Sequence, residues 1–268
     1  EALLDANHAW QEDVRASRES LLTKIGSPKL RADASFQRLL GQTLAELKSK
    51  YQDAYLSIHE HARLGSNDDK KKAALAKDSR LAQLQKLAGI EMMPTQQLRE
   101  FENRLFALKT CFQLGKPELD ADPMCPHCHF RPAEEIRSPQ RSGKVLNELD
   151  DALDGLVQAW TQTLLTNLDD PTVAGNVDLV TDATGKRELR EFMKSKTLPE
   201  PIAPTFIKVF QEVLSGLQKV VVTSDDLRAA LTDGGLPCTV DDAKTRFERH
   251  LAQLTKGQDA SKVRLVIE

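Results

Sequence analysis

Met124-Cys125-Pro126-His127-Cys128-His129-Phe130 decides how the rest of the chain is read. These seven residues hold two of the four cysteines and two of the six histidines, and long helix-patterned segments lie on both sides. Three chemistries fit the letters. Two thiolates separated by two residues can grip one zinc ion, with the turn between them presenting backbone N–H groups to the sulfurs. A redox dithiol needs the first cysteine at a helix N-terminus, after a thioredoxin-like strand; here the lead-in, residues 118–124, is expected to be an acidic loop. Covalent c-type haem fits Cys125-x-x-Cys128-His129 formally, but no signal peptide accompanies it. A reduced, unliganded pair on a loop is the bland alternative. Zinc, in a structural role, is the leading expectation.

A structural zinc ion takes four ligands. Cys111 lies fourteen residues before Cys125, at the end of an expected helix, and is the best third ligand. The fourth is expected to be Cys238, with His127 and His129 as alternates. Cys238 is distant in sequence, and His127 sits inside the turn, where its ring can point away.

Composition sets the outer bounds. The 268 residues suffice for one large or two ordinary domains. Apolar residues make up 40%, charged 29% and aromatic 5%, as expected of a helix-rich soluble chain. A net charge of −3 disfavours a broad attraction to nucleic acid, although a local patch is compatible with it. No run approaches the roughly 20 apolar residues of a membrane span. The start has no basic-then-apolar leader pattern. Few cysteines, two of them clustered, suit a metal in a reducing compartment better than a disulfide framework, so the expected location is cytoplasmic. Glu1 is not a methionine and the first residues are helix-patterned, as in a fragment of a longer protein.

Periodicity then predicts helices over most of the chain. Residues 1–25 form an amphipathic helix stopped by Gly26-Ser27-Pro28. Over 35–63, Phe36, Leu40, Leu44, Leu47, Tyr51, Ala54 and Ile58 step by fours and threes, and Gly65 stands where a C-terminal glycine belongs. His59 and His61 point about 200° apart on that helix, so they are expected to be solvated or capping rather than to share an ion. Lys70, Lys71 and Lys72, diluted by Asp68 and Asp69, suit a solvated helix start. Leu98, Phe101, Leu105, Leu108 and Phe112 form one seam before the knuckle. Leu146, Leu149, Leu153, Leu156, Trp160, Leu164 and Leu168 form another after it. An antiparallel hairpin over 95–169 with zinc near its tip follows as an expectation.

Composition changes after Asp170-Pro171. Val177, Leu179 and Val180 suggest an extended piece, and 204–219 a central apolar helix. Val220–Val222 suggests a short strand, Thr239 to Asp242 a capping box, and 262–267 an alternating strand. Two helices before a strand follow the order of a winged helix-turn-helix, but the mixed charge of the second helix favours packing against a partner over groove reading. The expected fold is mainly α: an elongated helical region over 1–170 carrying the knuckle hairpin, and a compact helical, α+β unit over 171–268.

Walker A, GxSxG and HExxH patterns are all missing, and no constellation requires an active site. Cys125-Pro-His-Cys128-His-Phe130, Leu236-Pro-Cys-Thr239, Phe247-Glu248 and the ending Lys262-Val-Arg-Leu-Val-Ile-Glu268 resemble the C-terminal region of large P-loop ATPases of bacterial phage-resistance (BREX) systems, of the BrxC/PglY type. The resemblance covers about the last 160 residues. It implies a cytoplasmic parent ATPase with its nucleotide motif upstream. This chain would then be a non-catalytic assembly domain, with the other subunits of a defence complex as partners. Two alternatives remain open. One is DNA binding by the knuckle and its neighbours Arg131, Arg137, Arg141 and Lys144. The other is thiol–disulfide exchange at Cys125 and Cys128.

Overall fold

A computed structural model describes residues 9–135, 140–259 and 262–267, with side chains from Val14 onward. The fold is mainly α, as periodicity predicts. Contacts divide it into two units whose segments interleave in sequence: one of residues 1–73 and 106–148, the other of 74–105 and 149–268. This is a different partition from a cut at residue 170.

The first unit is built on one long helix. Helix α1 (Ala9–Gly26) ends where Ser27 caps the single turn of α2 (Pro28–Arg31), its side chain accepting from the Leu30 N–H. Asp33 then caps α3 (Ala34–Ala62), accepting from Ser35 N at 2.8 Å. Both caps satisfy orphan donors of a helix start. α1 lies against α3 and buries Val14 and Leu21. Gly65 is not the stop of α3. Arg63 leaves the helix in extended conformation, and Leu64 forms a bridge with Thr110. Leu64 N donates to Lys109 O at 2.9 Å, and Cys111 N donates to Leu64 O at 3.2 Å. This pairing ends α6 (Thr95–Ala107) before Leu108, so Cys111 lies in an extended segment rather than on a helix. Phe112, expected in the seam, is 54% exposed. Helix α4 (Ser66–Leu75) follows, with Lys72 Nζ donating to Leu108 O. The lead-in to the knuckle is partly helical: α7 (Lys116–Ala121) takes up half of the stretch expected to be loop.

The second unit holds α5 (Ser79–Leu87), most of α6 and α8 (Ser142–Leu168), and everything after. Leu81, Leu84, Leu98, Phe101, Leu149, Leu153, Trp160 and Leu164 are buried, so the sequence seams are core stripes. Residues 177–179 are helical rather than extended, and Val180 leaves the helix. Pro171 at the first turn and Asp170 as cap nucleate α9 (Pro171–Leu179), which buries Val173 and Val177. α10 (Ala183–Ser195) and α11 (Pro204–Val213) pack closely. Phe192, Phe206 and Phe210 form an aromatic cluster with centroids 4.8–5.8 Å apart. Gly185 lets the Val209 side chain sit where a Cβ would be. Strand β1 (Gln218–Val222) pairs in parallel with β2 (Val263–Ile267), in the register Gln218 with Val263 through Val222 with Ile267. α12 (Ser224–Thr232) and α13 (Val240–Leu254) form the crossover that parallel pairing needs. Both helices open on Thr–Asp capping boxes, at Thr223 and Thr239. Among the described residues, no helix is long and apolar enough to cross a membrane.

Candidate metal centre

One stripe of α3 makes the site. Tyr51, Tyr55 and His59, with Arg63 just past the helix end, follow one another four residues apart, so they share a slowly winding face. Each meets the knuckle segment. Tyr51 Oη donates to Pro123 O, and Tyr55 Oη to Phe130 O, each at 2.5 Å. Cys125 N donates to the Tyr55 hydroxyl at 3.0 Å. One fully buried phenol thereby ties both ends of the six-residue knuckle to the helix. Lower on the same helix, Gln52 Nε2 donates to Asp120 Oδ1 at 2.9 Å, and Lys48 pairs with that carboxylate at 2.8 Å. Leu119, Cys125 and Phe130 bury themselves around Tyr55.

The knuckle itself is a tight turn. His129 N donates to Cys125 O at 2.9 Å, and His129 adopts a left-handed φ of 50°. That reversal sends Phe130 inward and leaves the His127 and His129 side chains exposed. The sulfurs turn toward α3. His59 Nε2, Cys111 Sγ, Cys125 Sγ and Cys128 Sγ all lie within 4.8 Å of one another. Cys128 Sγ is 3.3 Å from His59 Nε2, and Cys111 Sγ is 3.7 Å from Cys125 Sγ.

The expectation that His59 is solvated is therefore corrected. It is 3% exposed and faces three thiols. His61 is outside this group. Cys238 is not in the group; it lies in the turn between α12 and α13, in the other unit. His127 and His129 are outside the group as well. Cys125 follows a loop rather than opening a helix.

Two of the donor separations suit a tetrahedral ion. With Zn–S near 2.3 Å and Zn–N near 2.05 Å, tetrahedral angles put sulfurs about 3.8 Å apart and sulfur about 3.6 Å from nitrogen. The observed 3.7 and 3.3 Å lie close to those values. Burial pushes the His59 imidazole down to about 4, helped by the Arg63 charge, so it stands neutral with a lone pair to offer. Burial pushes the Cys111 thiol up to about 12, and hydrogen bonding to the Cys125 and Cys128 thiols adds to it. A thiol held this high resists ionising unless a cation is near, and a bound dication would be one.

The residues expected to meet nucleic acid are scattered among acids. Arg131 pairs with Glu134 at 2.8 Å, and Lys144 lies 3.9 Å from Glu148. Arg141 and Lys144 line a groove of about 570 Å³ together with Glu60 and Asp68, and its wall includes His59 and Cys111. Arg137 lies outside the described residues.

Residues 67–159, which contain Cys111, Cys125 and Cys128, match the sixth domain of a family of unknown function (DUF6079), and residues 1–59, which end on His59, match its fifth. No curated protein and no solved structure matches the chain. The two stretches are thus similar to consecutive domains of one family, and the donor group draws one ligand from the first and three from the second.

Proposed function

We propose that His59, Cys111, Cys125 and Cys128 hold one zinc ion, that its role is structural, and that the chain is an assembly module of a larger multidomain protein. The observation that carries this is the convergence of three sulfurs and one imidazole nitrogen within 4.8 Å. Three thiolates and an imidazole suit zinc over the oxygen-seeking divalent ions. Four protein donors leave no open position for a substrate or an activated water, so the ion clamps rather than catalyses. It fastens a loop with little core of its own onto α3. The matches to numbered domains of a multidomain family support the assembly role. The resemblance to BREX ATPases gives it a setting: a cytoplasmic phage-defence complex whose other subunits are the partners. Elemental analysis should return about one zinc per chain. Chelation should lower the melting temperature, and the chain alone should not hydrolyse ATP. A metal-free chain whose melting is indifferent to chelators would overturn the zinc reading. ATP turnover by the chain would overturn the non-catalytic one.

A further inference from the structure

Parallel strands normally sit inside larger sheets with both faces covered, and two strands alone hold together poorly in water. Among the described residues β1 and β2 pair only with each other. Gln218 N donates to Lys262 O at 2.8 Å. Backbone groups alternate sides along a strand, so those of Arg264 and Val266 also face β1. The N–H and C=O of Val263, Leu265 and Ile267 then face the outer edge. No backbone hydrogen bond outside the ladder reaches these three among the described residues. Val263 O accepts from Arg264 Nη1 at 3.0 Å and keeps a second lone pair. Native sheets commonly blunt such an edge with lysine, proline or a bulge. β2 reads Val-Arg-Leu-Val-Ile and pairs in unbroken register, so it carries none of these. Its one charge, Arg264, is drawn to Asp170 at 2.6 Å and Thr172 at 2.9 Å on its own chain. Leu265 and Ile267 stand 42% and 57% exposed.

We propose that β2 is the docking edge for a second copy of this chain, joining the two sheets into one in the order β1-β2-β2-β1. The strand matches itself. Turned about a two-fold axis through Leu265, a second β2 runs antiparallel, so that Leu265 faces Leu265 and Val263 faces Ile267. These are the residues whose backbone groups face outward, so each pair exchanges both of its hydrogen bonds without a shift of register. Their side chains share one face of the sheet. The exposed Leu265 and Ile267 therefore meet apolar partners, and Arg264 falls opposite Val266, with no like charges opposed. Two-fold pairing is the commonest oligomer symmetry, and strand addition at an open edge is a recurring mode of recognition. The metal centre plays no part in this pairing.

Sedimentation velocity of the whole chain, beside Leu265→Lys and Leu265→Glu, tests this. Wild type should pass from monomer to dimer as its concentration rises. Each variant alone should stay monomeric, because like charges would face each other on the axis. An equimolar mixture of the two variants should dimerise again, since it sets an ammonium against a carboxylate. Leu265 is exposed, so the circular dichroism of either variant should match that of the wild-type monomer. A wild type that stays monomeric overturns the proposal and leaves the edge to a strand of another protein. A dimer that survives in both variants overturns it as well, because another surface then holds the copies. Monomeric variants whose mixture stays monomeric overturn the two-fold register. Should both variants lose the sheet, hydrogen exchange of the wild type decides. Protection of the Val263, Leu265 and Ile267 amides should rise with protein concentration, and protection that ignores concentration overturns the proposal.

Discussion

Tyr55 does more for the knuckle than any one of its sulfurs can do alone. Its hydroxyl accepts from Cys125 N and donates to Phe130 O, so both ends of the turn are fixed by the protein's own bonds. Tyr55→Phe keeps the ring and strands two buried backbone groups. Leaving such groups unpaired costs about 1–3 kcal/mol, and urea unfolding of the two proteins at equal zinc loading should show a loss of that size. The three clustered cysteines were legible in the sequence because CxxC spacing and a third cysteine fourteen residues upstream are local signals. His59 was not, because its neighbour His61 suggested a pair to be judged together. The available signal was Tyr51, Tyr55, His59 and Arg63 at steps of four: a stripe of ring and cation residues continuing an apolar seam. The sequence stepped through Ala54 and Ile58 equally well, and only packing chooses between two stripes so close on one helix.

Elements explain why the ligand residues meet. α3 ends at Arg63, and the bridge of Leu64 with Thr110 draws the strand-like segment of Cys111 alongside. α7 and the knuckle then fold back onto the same helix. If zinc clamps that return, chelation should raise hydrogen exchange over residues 109–130, with Cys125 N and His129 N among the amides released. Residues 183–213 should keep their protection. α10 and α11 are held by a different device, the absence of a side chain at Gly185. A Cβ there would lie 2.1 Å from Val209 Cγ2. Gly185→Val should therefore destabilise by about 1–3 kcal/mol or more through overpacking, readable as a lower urea midpoint. Helix seams were legible from periodicity, and so were the two strands. That the strands pair with each other, in parallel across a two-helix crossover, was not, since neither strand carries a mark of its partner. Residues 177–180 misled because three apolar residues out of four, Val177, Leu179 and Val180, suit an extended piece, while the Asp170-Pro171 start signal upstream favours a helix and prevailed.

At the scale of the molecule, the chain is two interleaved contact units, and the first holds a half-buried group of one histidine and three cysteines. Interleaving is hard to see in a sequence, because composition marks where character changes along the chain and says nothing of which segments return to one another. The donor group draws on residues 59 and 111–128, one donor from the stretch similar to the fifth family domain and three from that similar to the sixth. An isolated piece that stops before Cys111, or begins after His59, should accordingly bind zinc far more weakly than the whole. Native mass spectrometry of the whole chain, beside His59→Ala and Cys238→Ser, tests the centre most directly. One zinc ion on the wild type and on Cys238→Ser, lost from His59→Ala, is the predicted result. Zinc kept by His59→Ala but lost from Cys238→Ser would contradict it, as would a wild type that carries none.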